Sequence, residues 1–224
     1  VKRHIGDRSD HVGLAIDDLV VAGWTGRDTA ALEHHIEELA AIGVARPSTE
    51  PLFYRLSASL LTTADAVDVV GDGTSGEVET VIFSLADGLW VGLGSDHTDR
   101  KAESQSVALS KQLCQKPLAA ERWRYDEVVE HWDQLVLRSW AVTGDRRELY
   151  QHGAVAAIRH PRDLMQRYLG NQALLPAGTV MFCGTLNAIG GIRPAGRFEI
   201  ELEDPVLKRS IRHGYSIRSL PLVA

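Results

Sequence analysis

Read along its length, the chain spells an α+β domain built mainly from strands. Candidate strands outnumber candidate helices and come mostly in runs, whereas a doubly wound parallel sheet would alternate the two. The 224 residues include 44% hydrophobic side chains, enough to bury a sizeable core without help from disulfides or metals. No internal repeat, low-complexity tract or Pro/Ser-rich linker divides the sequence. Residues 1–224 therefore read as a single domain.

The elements follow in order. "LVVAGW" (19–24) reads as a strand. Asp28 then caps a helix whose residues Leu32, His35, Ile36, Leu39 and Ile42 recur at helical spacing until Gly43 stops it. "PLFYRLSASLL" (51–61) and "AVDVV" (66–70) read as strands, the stretch 76–96 as a hairpin, and 99–116 as an amphipathic helix. Further strands are expected at 134–142, 148–157, 179–184, 197–203 and 209–219. Pro161 suits the first turn of a short helix that closes at Gly170.

Charge and composition exclude several classes of function. The formal charge is −6 and no basic run forms the stripe that a phosphate backbone demands, so nucleic acid is not an expected partner. No apolar stretch reaches the roughly 18 residues that span a bilayer, and the first ten residues are polar where a signal peptide is apolar. A cytoplasmic protein with no membrane partner is the expectation. Cys114 and Cys183 lie far apart without CxxC spacing, which predicts two buried thiols in a reducing compartment.

The hairpin "GEVETVIFSLADGLWVGLGSD" carries the chemistry. Asp87-Gly88 is a preferred central pair for a two-residue type I′ turn, since both positions need positive φ. With Ala86 then paired to Leu89, Glu79 is placed across from Asp96 and Glu77 across from Thr98. Period-two alternation puts Glu77 on the face of Glu79, so three carboxylates converge. Like charges facing one another across strands are destabilising unless solvent, a raised pKa or a cation relieves them. Carboxylates without a nearby Cys or His pair form a hard, all-oxygen site suited to Mg²⁺, Mn²⁺ or Ca²⁺. The bland alternative is an acidic, solvated hairpin face.

Other patterns lead nowhere. Ser95, Asp96 and His97 are consecutive, and neighbours on a strand point to opposite faces, so they make no hydrolytic triad. "EHWD" (130–133) reads as structural, near the start of a strand. His97 reads as an exposed turn residue, with a hydrogen bond in support of a bound ion as the alternative.

The stretches "GEVETVIF", "GSDHTDR", "LSKQL" and "LPAGTVMFCGTLNAIGGIRPAGRFEIELE" follow one another in an order that resembles the catalytic domain of the fumarylacetoacetate hydrolase superfamily, most closely a bacterial branch of it. The resemblance spans about residues 19–219. It implies a mixed β-roll or barrel-like domain with a few flanking helices, and a Mg²⁺ (or Mn²⁺, Ca²⁺) held by Glu77, Glu79 and Asp96. It also implies a catalytic Lys111 that, with the amides near the substrate-binding Gly184 and Thr185, stabilises developing oxyanions, and a homodimer, because relatives commonly dimerise. His35 and Glu38 have the spacing of a dyad that, in metabolic members, activates water from a lid; i and i+3 are neighbours on a helix, so the carboxylate can orient the imidazole. A packed core histidine in the apolar stripe is the alternative. Where relatives carry a Lys, this chain has Arg55, which would hold a substrate carboxylate, and Leu186 stands in place of a turn proline.

The activity implied is metal-dependent hydrolysis of a carbon–carbon bond in a β-diketo acid or acylpyruvate-like 2-oxo acid. Alternatives on the same site are dehydration of a sugar acid, decarboxylation of an oxo acid and tautomerisation. From another class comes a non-catalytic domain that binds a small acid or is stabilised by its metal.

Overall fold

The computed structural model of the chain describes residues 2–5, 8–11, 13–30, 32–33, 36–37, 46–170 and 174–223. Its first strands are β1 (Lys2–Ile5), β2 (Arg8–His11), β3 (Asp18–Gly23), β4 (Leu52–Leu56), β5 (Leu61–Thr62), β6 (Ala66–Val70) and β7 (Thr74–Ser75). The central ones are β8 (Val78–Leu85), β9 (Gly88–Ser95), β10 (Thr98–Asp99), β11 (Lys116–Pro117) and β12 (Glu121–Arg124). The last are β13 (Val136–Thr143), β14 (Arg146–Ala154), β15 (Thr179–Phe182), β16 (Arg197–Asp204) and β17 (Arg209–Leu220). An eight-stranded sheet runs β2-β1-β12-β9-β8-β15-β3-β4 and a five-stranded sheet runs β14-β13-β16-β17-β6. Both are open at their edges, so the sheets roll over one another without closing into a barrel.

The mainly β expectation holds, and its departures have local causes. The expected strand 51–61 is broken after Leu56 by a 3-10 turn at Ala58–Leu60. The expected helix 99–116 is two short helices, Arg100–Glu103 and Val107–Gln112. Asp99 caps the first through Lys101 N and Ala102 N, and Ser106 caps the second through Leu109 N. A second cap in mid-run starts a new helix. "EHWD" lies in a 3-10 stretch, Val129–Gln134, just before β13 begins at Val136, while 155–157 turns off the end of β14 as another. The short strands β1, β2, β7, β10, β11 and β12 carry too little alternation to be read from sequence.

Helix Pro161–Leu169 ends where Gly170 takes φ 60°, as its proline and glycine predict. Of the helix after Asp28, Ala30 N donates to the Asp28 carboxylate and Leu32 and Ile36 are buried. His35, Glu38, Leu39, Ile42 and Gly43 lie outside the described residues.

The core explains why β8 is apolar on both faces. Val78 and Ile82 join Val20, Ala22 and Met181, packed against Leu137, Ile200, Leu202 and Ile211 of the five-stranded sheet. Val81 and Phe83 join Leu19, Val21, Val180 and Phe182 in a second cluster. Each fully buried aliphatic side chain stabilises the fold by ~1.5–3 kcal/mol. Burial on both sides leaves β8 no solvated face, so its acid at position 79 is drawn into the interior. Among the described residues no helix is long and apolar enough to cross a membrane. Cys114 and Cys183 are both buried free thiols, as expected.

Candidate metal centre

The hairpin turns one residue earlier than its sequence suggests. Leu85 pairs with Gly88, so Ala86 and Asp87 make the turn, and only Gly88 takes positive φ, at 116°. A type I′ turn is therefore excluded, because it needs two central residues at positive φ. Asp87 is held instead by Trp90 Nε1 at 3.0 Å and by Arg124 Nη1, which donates to its carbonyl at 2.7 Å. The register moves accordingly: Glu79 lies opposite Gly94, not Asp96, and Glu77 opposite Asp96, whose amide donates to the Glu77 carbonyl at 2.9 Å. A shift of the whole partner strand by two residues preserves the face. The three acids still converge, with one oxygen of each of Glu77, Glu79 and Asp96 within 4.8 Å of the others.

Each carboxylate has one oxygen anchored. Glu77 Oε1 accepts from Arg100 Nη2 at 2.9 Å, Glu79 Oε2 from the Gly184 amide at 2.6 Å, and Asp96 Oδ1 lies 2.9 Å from Lys116 Nζ. The other oxygens of Glu77 and Asp96, Oε2 and Oδ2, face Lys111 Nζ, at 3.6 Å and in a short hydrogen bond respectively. Such outer contacts fix ligand orientation in metal sites. Burial pushes the Glu79 carboxyl well above its usual range, and Asp96 and Glu77 beside it push the same way. Burial also raises Glu77 and Asp96, but Arg100 with Lys111 for the first, and Lys111 with Lys116 for the second, outweigh it and hold both below the usual range. Three carboxylates, one of them 2% exposed and another fully buried, make a donor set that fits a hard divalent cation.

The cluster opens on a cavity of about 670 Å³. Glu77, Glu79 and Lys111 stand on its wall with Trp24, Tyr54 and Thr185. Trp24 holds the left-handed φ of 59° and donates from Nε1 to the Tyr54 hydroxyl at 3.2 Å. Arg55 is not among the lining residues. Successive side chains of β4 alternate, so Tyr54 faces the cavity and Arg55 the other side, where it pairs with Asp18 and donates to the Tyr168 hydroxyl at 3.0 Å. The carboxylate-gripping role expected of Arg55 finds no support in that position. His97 is fully buried, not an exposed turn residue: its ring lies 2.8 Å from Thr74 Oγ1 and 3.2 Å from the Tyr215 hydroxyl. Burial, with Lys116 and Arg100 nearby, pushes its pKa down to about 3, which keeps the imidazole neutral.

The protein-family model described as a protein of unknown function, DUF2848, matches residues 22–215. The chain belongs to that family. No curated protein matches its sequence. Among solved structures, a yeast protein of the fumarylacetoacetate hydrolase family is similar at 15% identity and TM-score 0.65, over 92% of this chain and 94% of that one. A 5-carboxymethyl-2-hydroxymuconate delta-isomerase from Mycobacterium smegmatis is similar at 14% identity and TM-score 0.64, over 95% of this chain and 86% of that one. A 2-keto-3-deoxyarabinonate dehydratase is similar at 15% identity and TM-score 0.67, over 92% of this chain and 75% of that one. The fold of this DUF2848 member is that of fumarylacetoacetate hydrolase family proteins.

Sequence reading missed Lys116, Arg100 and Gln151. Lys116 is fully buried and also donates to the His97 carbonyl at 2.6 Å. Gln151 accepts from Val78 N at 3.0 Å and Ser139 Oγ at 2.9 Å, and its amide donates to Thr185 Oγ1 at 2.8 Å and Leu186 O at 2.6 Å. One side chain thus ties the strand carrying Glu79 to the segment carrying Gly184. Gln151→Leu should lower stability by ~1–3 kcal/mol in urea denaturation, because it strands several buried polar groups at once. A loss below a few tenths of a kcal/mol would show that this bridge is dispensable.

Proposed function

We propose that the chain is a divalent-metal-dependent hydrolase that cleaves a carbon–carbon bond in a β-diketo acid or acylpyruvate-like 2-oxo acid. The observation that carries this reading is the set of three carboxylates, anchored from behind and gathered within 4.8 Å, two of which, Glu77 and Glu79, line a cavity of about 670 Å³. Glu77, Glu79 and Asp96 would hold Mg²⁺ or Mn²⁺, with Ca²⁺ as the larger alternative. When bound, such an ion supplies Lewis-acid polarisation of a 2-oxo acid and offsets the negative charge that grows as the bond breaks.

The chain's own groups do the rest. His35, oriented by Glu38, takes a proton from water; the hydroxyl adds to the distal carbonyl carbon, the carbon–carbon bond breaks, and the proton returns to the departing carbon. Leu32, three positions before His35 in the sequence, lines the cavity. The amide of Gly184 is committed to Glu79 and the Thr185 hydroxyl donates to Val78 O at 2.8 Å, so these groups position the ligand strand more than they contact substrate. Trp24 and Tyr54 offer an aromatic wall to the acyl part of the substrate.

A panel of acylpyruvates, each with Mg²⁺ or Mn²⁺ and followed by the loss of enol absorbance, tests the proposal. The expected result is cleavage to a carboxylic acid and a 2-oxo acid, abolished by His35→Ala with ion binding spared. Full activity in that variant would sink the dyad assignment. Dehydration or tautomerisation in place of cleavage would move the chain to another reaction on the same site. Finding no turnover, together with a large loss of thermal stability in chelator, would leave a metal-stabilised binding domain.

A further inference from the structure

Lys111 is placed oddly for a residue that serves only a substrate. Its ammonium touches Asp96 Oδ2 and lies 3.6 Å from Glu77 Oε2. These are the two oxygens that Arg100 and Lys116 leave over, and therefore the ones an ion in this cluster would take. A divalent ion and an ammonium cannot share carboxylate oxygens at such separations, because their repulsion in a buried site amounts to several kcal/mol.

Resting on the metal reading above, we propose that Lys111 is a built-in counter-cation that exchanges with the metal. The ammonium neutralises Glu77 and Asp96, and an entering divalent ion displaces it into the adjoining cavity. Lys111 sits near the end of helix Val107–Gln112 on a flexible four-carbon stem, whereas Lys116 is locked by Asp96 and the His97 carbonyl. A landing place exists: the Tyr54 ring centroid is 5.9 Å from Lys111 Nζ, and Glu103 stands on the same cavity wall. The displaced cation would face the cavity, where it adds a contact for an anionic ligand. Ion binding and anion binding are then coupled, since the first releases a group that serves the second.

Calorimetric titration with Mn²⁺ at one fixed pH tests the exchange. Lys111→Met should bind Mn²⁺ at least about tenfold more tightly than wild type, because no ammonium has to be moved. Lys111→Arg keeps the charge and should bind no more tightly than wild type. In chelator, Lys111→Met should melt below wild type, and saturating Mn²⁺ should close the gap. Unchanged or weaker Mn²⁺ affinity in Lys111→Met, with wild type binding normally, overturns the exchange and leaves the metal reading intact. Failure of wild type and both variants to bind Mn²⁺ overturns both.

Discussion

Glu79→Gln is expected to cost at least about 100-fold in Mn²⁺ affinity, more than the loss of an outer contact in a metal site usually costs. The amide keeps the volume of the side chain and can still accept the Gly184 N–H, so the fold is preserved while the charge is removed. A buried carboxyl whose ionised form is penalised by burial and by two acidic neighbours contributes little to a metal-free protein. Melting in chelator should therefore match or exceed that of wild type, and only the stabilisation by added Mn²⁺ should disappear. Both halves are read from titration calorimetry and thermal melts with and without EDTA. Affinity within a few-fold of wild type would place the ion elsewhere in the molecule.

Gly184→Ala should be the most damaging small substitution near the site. Gly184 takes φ 101°, a region that L residues enter at a cost of ~1–3 kcal/mol. A Cβ there would also sit 1.8 Å from Thr25 Oγ1 and 2.9 Å from Thr25 Cβ, and overpacking of this kind costs ~1–3 kcal/mol more. A total loss of roughly 2–6 kcal/mol in urea denaturation is expected, along with weakened ion binding as the amide that anchors Glu79 shifts. Thr25→Gly in the same chain should recover the steric share and leave the backbone share. If the single variant is as stable as wild type, the segment 183–185 that follows β15 is more pliant than its contacts imply.

The reasons one part of the site was legible and another was not are physical. Acids two apart on a strand share a face whatever the turn does, so the convergence of Glu77 and Glu79 could be read even though the register was misjudged by the assumption that Asp87-Gly88 would form the turn. The same alternation, applied to β4, would have set Tyr54 and Arg55 on opposite sides. Resemblance drew attention to the arginine instead. Arg100 and Lys116 reach the carboxylates from a short helix and a two-residue strand, Gln151 braces the strand of Glu79 from the other sheet, and no local spacing encodes such meetings. His97 looked like a turn residue because its neighbours are polar; the cage of Thr74 and Tyr215 that buries it is assembled from residues 23 and 118 positions away. Strands with strong alternation or long apolar runs were found, and two-residue strands were not.

The place of β15 in the large sheet has a consequence for biogenesis. Residues 179–182 are inserted between β8 and β3, which precede them by about 100 and about 160 positions in the chain, and the next residues supply the amide that steadies Glu79. Closing such long loops is slow and leaves apolar edges bare meanwhile. A nascent polypeptide on the ribosome thus cannot complete the surroundings of its buried carboxylates until residue 184 has been translated, and a prematurely terminated product ending before residue 179 would expose the inner edges of two apolar strands.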